Sequence, residues 1–246
     1  MDIKETIIET HQGGIKIVQY NKPNKKNAID PTMYQRLINI FNETAIDDSI
    51  SVMVLTGTGD FYSSGNDFSI STDMPKGLNV LKEFINAFIM FPKILVAIVN
   101  GPAIGIAATT LALCDLVFAS ENSYFYTPFT NLGIVAEGCS TFTFPRLIGD
   151  RKAMEMLLCN HRMSAKEALD CGFINYIYKP EELQSKVWDK ITEVSKLPKI
   201  SVTATKKLLR DTVRQELLKA NDIEIQELND IWLLKKYINT VFNLIC

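Results

Sequence analysis

The sequence lacks several features that mark common classes of protein. It has only two histidines, His11 and His161, and its five cysteines form neither a Cys-X-X-Cys pair nor a spacing typical of a zinc site. We therefore expect no bound metal. An odd number of cysteines, with no secretory leader in view, favours reduced thiols in a reducing compartment.

Charge and hydropathy argue against two further classes. The 26 basic residues nearly cancel the 28 acidic ones, so no strong electrostatic field favours nucleic acid as a partner. No apolar run reaches the roughly 18 residues that a membrane span needs. With 47% hydrophobic residues in a chain of 246, a substantial core is nonetheless expected, in one large domain or one domain with an appendage.

The two ends of the chain show no targeting signal. The N-terminal MDIKETIIET alternates like a strand and carries acidic residues, unlike a signal or transit peptide. The ending Leu-Ile-Cys differs from the peroxisomal Ser-Lys-Leu signal. The compartment therefore stays open on these residues alone.

Alternating strand and helix patterns predict an α/β fold with helices packed on sheets. Up to residue 145, strands are predicted over 4–10, 15–20, 52–55, 95–99, 116–119 and 124–126, and helices from Pro31, over 78–89 and over 106–113. Beyond it, helices are predicted over 150–158 and 164–171, a strand over 173–178, and mostly helix from Glu181 onward with a break at Pro198.

Three loops contain the residue types needed for a reaction. The first, 61–68 (FYSSGNDF), directly follows a predicted strand and is rich in turn residues. The second, 101–107, leads from a strand into a helix, whose first amide N–H groups are unpaired and carry partial positive charge. The third, 131–140, contains Glu137 among apolar residues and glycines.

The second and third loops together favour enolate chemistry over attack by a nucleophile. Amides at a helix start can hold a developing oxyanion, and the Glu137 carboxylate can carry a proton. If its apolar neighbours enclose it, desolvation raises its pKa toward the range of about 6–7 that suits a general base. Cys139 lies close in sequence, but neither histidine is beside it, so a Cys–His pair is a minor alternative.

Several segments together resemble the crotonase (enoyl-CoA hydratase/isomerase) superfamily. They are SSGND, NGPAIG…CDLVFAS, TPFTNLGIVAEGCSTFTFPRLIG, residues 152–158 and MSAKEALDCGFINYIY, which together cover most of the chain. Within the superfamily, SSGND, AEGCS and FTFPRLIG resemble the enoyl-CoA delta isomerase 2 group. Ile106-Ala107-Ala108 departs from the Gly-rich run common in the superfamily, and neither the N-terminal acyl-CoA-binding domain nor the peroxisomal ending frequent in that group is visible.

The resemblance implies an architecture. The catalytic core, a spiral of ββα units, would cover 1–190, and a C-terminal helical trimerisation subdomain would cover 191–246, giving a homotrimer or hexamer. The terminal stretch is rich in apolar residues: Leu228, Ile231, Trp232, Leu234, Tyr237, Ile238, Val241 and Phe242. Packing within the chain explains them about as well as packing on another subunit or over the substrate's acyl group.

The resemblance also implies the site. The backbone N–H groups of Asn66 and Ile106 would form an oxyanion hole for the thioester oxygen of an acyl-CoA, and Glu137 would be the catalytic residue. The expected substrate-binding residues are Ser64, Gly65, Asn66, Asp67, Phe68 and Ile106. Lys22, Lys25 and Lys26 resemble a segment near the nucleotide end of coenzyme A, although solvated lysines are the more common explanation. No metal or cofactor is implied, because acyl-CoA is itself the substrate.

The choice of reaction depends on the carboxylates. Hydratases of the superfamily use two glutamates, and the matching positions here are Thr109 and Phe129, so hydration is not expected. Glu137 falls where the isomerase 2 group has its glutamate. The implied activity is Δ3,Δ2-enoyl-CoA isomerisation in the β-oxidation of unsaturated fatty acids, in a peroxisome or mitochondrion. The alternatives are a non-catalytic acyl-CoA-binding or scaffold protein, like the chromodomain Y-like group, and another crotonase reaction such as thioester hydrolysis or dehalogenation.

Overall fold

The computed structural model describes residues 6–67 and 74–245, except for the side chains of 74–76, 184 and 236–245. The strands are β1 (Ile7–Gln12), β2 (Ile15–Tyr20), β3 (Val52–Gly57), β4 (Ile94–Val99), β5 (Ala103–Ile104), β6 (Leu116–Ser120), β7 (Tyr124–Tyr126), β8 (Arg162–Ser164) and β9 (Tyr176–Tyr178). The α-helices are α1 (Pro31–Ile46), α2 (Met74–Met90), α3 (Ile106–Thr109), α4 (Ser140–Ile148), α5 (Asp150–Leu157), α6 (Ala165–Asp170), α7 (Pro180–Ser195), α8 (Lys199–Asp211) and α9 (Arg214–Ile245).

The main sheet of the described chain has the order β1-β2-β3-β4-β6-β9. β1 is antiparallel to β2, and the remaining neighbours are parallel. The central strands are runs of apolar and β-branched residues, and every residue of β3 is buried. Such runs are expected where helices cover both faces of a parallel sheet, so the predicted α/β class is confirmed.

Local capping signals position two helices as predicted. The Asp30 carboxylate accepts a hydrogen bond from the Met33 amide at 2.9 Å, and Pro31 opens α1. Ser164 and Glu167 form a reciprocal capping box at the start of α6. In both cases the relevant contacts are local, so the sequence is sufficient to predict them.

Several predicted boundaries differ from the structure. The predicted strand 173–178 is shorter, since only Tyr176–Tyr178 pairs with β6. The predicted helix 106–113 divides into α3 and a 3-10 helix at Thr110–Leu113. Helix α4 was not predicted at all, and it contains Pro145, a residue that usually ends a helix.

A second sheet, β5-β7-β8, lies where the candidate loops meet. Its short strand β5 pairs with β7, and Ala103 of β5 also forms a bridge with Ser63. This bridge joins two of the three loops singled out in the sequence. The small sheet therefore lies beside two of the candidate loops.

The C-terminal helices pack back onto the core. Leu183, Val187 and Ile191 of α7 are buried against the main sheet, so the boundary predicted near residue 190 lies inside α7. That division stays a prediction. Helix α9 packs against α2 and α4, with Leu217 and Leu228 buried. Of the terminal apolar residues, Leu234 is exposed, and the side chains of those from 236 onward lie outside the described ones.

Candidate active site

Backbone hydrogen bonds hold the 62–67 loop against the segment that leads into α3. The Tyr62 and Ser63 amides both donate to the Pro102 carbonyl, and the Ile104 amide donates to the Ser63 carbonyl at 3.0 Å. Gly65 has φ +84°, and a Cβ added there would lie 2.6 Å from the Ile104 carbonyl oxygen. Only glycine permits this close approach of the two segments.

Two amides beside this contact are free. Among the described residues, neither the Asn66 nor the Ile106 backbone N–H donates to another group. Ile29 pairs with the neighbours of Asn66, since its amide donates to Gly65 and its carbonyl accepts from Asp67, which leaves the Asn66 N–H on the opposite side. Ile106 is the first residue of α3, where an N–H has no intrahelical acceptor.

Glu137 reaches the same place from the third loop. Its side chain is 2% exposed, and the Asn66 Nδ2 donates to its Oε1 at 3.1 Å. Burial raises the pKa of Glu137 most, followed by the negative charge of Glu224, and the hydrogen bond from Asn66 opposes both; the resulting pKa is about 8. The carboxyl therefore exchanges a proton close to neutral pH.

Gly138 brings the Glu137 loop onto α3. It has φ +74°, and an added Cβ would lie 2.2 Å from the Thr109 Oγ1 and 3.2 Å from the Ile106 Cδ1. The loop backbone thus packs directly on α3, whose first amide has no acceptor in the described part of the chain. Glu137, Asn66 and Ile106 come together although they lie in three separate segments.

The side chain of Asn66 has its orientation fixed by α1. The buried Tyr34 hydroxyl donates to the Asn66 Oδ1, which turns the amide NH2 group toward Glu137. The Tyr34 ring packs edge-on against Phe84 with 4.8 Å between centroids. Tyr34 is not among the residues predicted from the sequence, because its position on α1 gives no sign of which loop it contacts.

Glu224 is a second functional candidate that sequence reasoning missed. It lies on α9, is 4% exposed, and accepts hydrogen bonds from the Cys139 amide at 2.7 Å and the Thr141 amide at 2.9 Å. The Thr141 hydroxyl donates to it as well, at 2.6 Å. No local pattern distinguishes this glutamate from the other charged residues of a long helix.

The other predicted substrate-binding residues have different surroundings. Ser64 is half-buried, and its amide donates to the Lys26 carbonyl. Asp67 forms an ion pair with Lys22 at 3.1 Å, and Lys22 also pairs with Asp30 at 2.9 Å. Burial tends to lower the pKa of Lys22, but these two carboxylates outweigh it and raise the pKa. Phe68 lies outside the described residues.

Three residues narrow the chemistry available. Cys139 is buried, its Sγ lies 3.3 Å from the Leu217 carbonyl oxygen, and burial raises its thiol pKa, so it is a poor nucleophile. Thr109 and Phe129 are buried and have no carboxyl group.

Within the described chain, no group of three or more histidine, cysteine or acidic side chains is arranged to hold a metal ion. No described helix has the length and apolar content needed to cross a membrane.

Comparison with known proteins gives a consistent picture. The family model described as enoyl-CoA hydratase/isomerase matches residues 10–236. Enoyl-CoA delta isomerase 2 of Rattus norvegicus is 40% identical over 97% of this chain, which spans 63% of that protein. Peroxisomal enoyl-CoA delta isomerase 3 of Mus musculus is 40% identical over 87% of this chain and 70% of its own length.

A relative of another kind and a solved structure extend the comparison. Testis-specific chromodomain protein Y 1 of Homo sapiens is 32% identical over 93% of this chain and 44% of that protein. The enoyl-CoA hydratase/isomerase of Pseudoalteromonas atlantica superposes with a TM-score of 0.86 at 28% identity, covering 92% of this chain and 91% of that one. Sequence and fold agree, and the chain belongs to the enoyl-CoA hydratase/isomerase family, the crotonase superfamily.

Proposed function

We propose that this protein is an enoyl-CoA delta isomerase, which moves the double bond of a 3-enoyl-CoA to the 2-position. The observation that carries the proposal is the buried carboxyl of Glu137, which accepts a hydrogen bond from the Asn66 side chain and lies beside two backbone amides that have no acceptor among the described residues. The 40% identity to proteins named enoyl-CoA delta isomerase supports the same activity.

The reaction needs only one group that accepts and returns a proton. The Glu137 carboxylate takes a proton from C2, and the electron pair of that C–H bond spreads over a dienolate with negative charge on the thioester oxygen. The Asn66 and Ile106 amides stabilise this charge, each donor contributing about 2.7–4 kcal/mol in comparable sites. Protonated Glu137 then delivers the proton to C4, which leaves the double bond between C2 and C3.

The environment of Glu137 suits both halves of this reaction. A pKa of about 8 makes the carboxylate a stronger base than an exposed glutamate, yet leaves it able to release the proton again. Atoms and electrons balance within the substrate, so we propose no cofactor and no metal. Positioning of the C2–C3–C4 segment against one carboxyl supplies the catalysis.

The wider setting follows from the same proposal. The acyl-CoA thioester is the substrate, contacted by Ser64, Gly65, Asn66, Asp67 and Ile106, with Phe68 as a further predicted contact. The protein acts as a homotrimer or hexamer in the oxidation of unsaturated fatty acids. A peroxisomal or mitochondrial location is proposed, the former supported by a relative named as peroxisomal.

An ultraviolet assay with trans-3-hexenoyl-CoA tests the activity. The wild type is expected to form the conjugated 2-enoyl thioester, and Glu137→Gln to lose about 10²- to 10⁴-fold in rate, as expected for removal of a general base. Binding of a saturated acyl-CoA to both proteins, measured by calorimetry, is the control that the variant keeps its pocket.

Other outcomes contradict the proposal in distinguishable ways. Equal rates in the two proteins would reject Glu137 as the base. Release of free coenzyme A thiol in place of the conjugated product would indicate thioester hydrolysis. Tight binding with no product from the wild type would favour the acyl-CoA-binding scaffold, the class suggested by the likeness to a chromodomain protein.

A further inference from the structure

Two acidic side chains are buried next to each other in this molecule, and the proposed reaction uses only one of them. Glu137 is 2% exposed and Glu224 is 4% exposed. Glu224 binds the amide of Cys139, two residues after Glu137, and the amide and hydroxyl of Thr141. Two like charges close together in a buried site make it costly for both carboxyls to be ionised.

The two carboxyls have very different hydrogen-bond partners. Glu224 accepts three hydrogen bonds and lies at the positive N-terminal end of α4, both of which stabilise a carboxylate. Glu137 accepts one, from the neutral amide of Asn66. The charged form is therefore better stabilised on Glu224 than on Glu137.

We propose that Glu224 is a positioning residue that carries the negative charge of this pair at neutral pH and so makes Glu137 the group that exchanges the proton. The carboxylate also ties the first turn of α4 to α9, which holds the Glu137 loop against α3. The catalytic meaning of this inference rests on the proposed isomerase function, whereas the order of ionisation of the two glutamates does not.

The other titratable groups around the pair do not alter this order. The pKa of Tyr34 is raised well above its usual value by burial and by Glu137, so its hydroxyl stays neutral. The Cys139 thiol is likewise neutral, because burial raises its pKa. On the neighbouring helices, Lys82 of α2 pairs with Asp222 of α9, and Arg210 of α8 lies 3.7 Å from Asp115.

No described cation compensates either glutamate. Within the described residues, neither Glu137 nor Glu224 forms an ion pair. The pKa directions agree with the geometry. The pKa of both carboxyls is raised: that of Glu137 by burial and then by the charge of Glu224, and that of Glu224 by burial, which its three hydrogen bonds oppose.

Nuclear magnetic resonance of the full chain labelled with ¹³C in the glutamate carboxyls tests the order directly. Glu137→Gln and Glu224→Gln assign the two signals by their loss. In the wild type, Glu224 is expected to ionise at lower pH than Glu137. In Glu224→Gln, the midpoint of Glu137 is expected to fall by on the order of 1 unit, because the repelling charge is gone.

Thr141→Val is the matched control. It removes one hydrogen bond to Glu224 and leaves the charge, so the Glu137 midpoint should stay closer to the wild-type value than in Glu224→Gln. Equal midpoints in the wild type and a folded Glu224→Gln would overturn the proposal. If Glu224→Gln does not fold, the wild type alone decides, and ionisation of Glu137 before Glu224 would overturn it.

The isomerase assay adds a readout that a purely structural role would not change. The isomerase rate should rise with pH as Glu137 ionises and then reach a plateau. In Glu224→Gln this rise should occur at lower pH, and the rate at the plateau should be lower because Glu137 is then a weaker base. If Glu224→Gln loses the same fraction of its rate at every pH, with the rise at the wild-type pH, the proposal is contradicted. A protein without isomerase activity that still shows the predicted ionisation order would refute the proposed function and leave the order intact.

Discussion

Glu137 owes its chemical character to what surrounds it. The sequence around it is apolar, and in the structure Ile134, Val135 and Ala136 pack against the core while the carboxyl is buried. An exposed glutamate would be a weak base at neutral pH, whereas this one has a pKa of about 8. The backbone N–H of Asn66 was expected from the sequence to be an oxyanion donor. In the structure the Asn66 side chain also donates a hydrogen bond to Glu137.

The same burial predicts how stability depends on pH. The pKa of Glu137 is raised in the folded state from 4.5 to about 8, so the unfolded state releases its proton first. The group's stabilising effect is complete below pH 4.5 and is lost as pH rises to about 8. Glu137→Gln should therefore gain stability relative to the wild type, on the order of 4 kcal/mol, between about pH 5 and about pH 9.

Urea unfolding followed by circular dichroism at several pH values measures this difference. Glu121→Gln, which removes an exposed carboxyl, is the control and should follow the wild type closely. A difference between Glu137→Gln and the wild type that does not change with pH would show that the Glu137 carboxyl is not protonated when folded.

At the scale of elements, the site depends on how closely three loops approach one another. The 62–67 loop follows β3, the second loop leads from β4 through β5 into α3, and the Glu137 loop precedes α4. Glycines make the contacts between them possible, Gly65 against Ile104 and Gly138 against Thr109. Since the proposed oxyanion donors are backbone amides, oxyanion binding depends more on the spacing of the loops than on the side chains of Asn66 and Ile106.

Gly65→Ala should therefore separate the two amides. Its Cβ would lie 2.6 Å from a backbone oxygen, so one of the segments must move. We expect a loss of about 10²- to 10³-fold in isomerase rate, equivalent to losing one oxyanion donor. Steady-state kinetics with 3-hexenoyl-CoA measures it.

Gly59→Ala is the matched control for this change. Gly59 has φ +80°, similar to the +84° of Gly65, but its added Cβ would meet only Pro23 at an ordinary 3.6 Å. Gly59→Ala should lower the free energy of unfolding by about 1–2 kcal/mol, because alanine is strained in a left-handed backbone conformation. The isomerase rate should stay unchanged. Equal losses of rate in the two variants would mean that backbone strain, and not loop spacing, is responsible.

At the scale of the whole molecule, the C-terminal helices have two roles. Helix α7 covers one face of the main sheet, and α9 supplies Glu224 to the neighbourhood of Glu137. Helix α8 has a different character, because Ile200, Leu208 and Leu209 are 88%, 71% and 69% exposed. Large apolar side chains grouped on one helix are typical of a surface that another chain covers.

We accordingly expect the protein to sediment as a trimer or hexamer of its 27.7 kDa chain. Replacing Leu208 and Leu209 by serine should shift the distribution toward smaller species, because the apolar area available for association falls. Ile46→Ser, which removes a side chain 85% exposed at the end of α1, is the control. A wild type that sediments as a monomer would contradict the expectation.

Part of this site could be predicted from the sequence, and part could not. The helix starts at Pro31 and Ala165 follow from local patterns, since capping involves residues close in the chain. Glu137 was singled out by its apolar neighbours, and the Ile106 amide was implied by the family resemblance. The α4 helix was missed, because Pro145 inside it looks like a breaker.

Tyr34 and Glu224 could not be predicted. Each acts on a residue distant in the chain, Tyr34 on Asn66 and Glu224 on Cys139 and Thr141. The sequence by itself determined the α/β class and the family, and it supplied the candidate groups of the proposed site. Only the tertiary structure decided their surroundings, because the burial and charge that set the pKa of Glu137 come from segments that meet only when the chain folds.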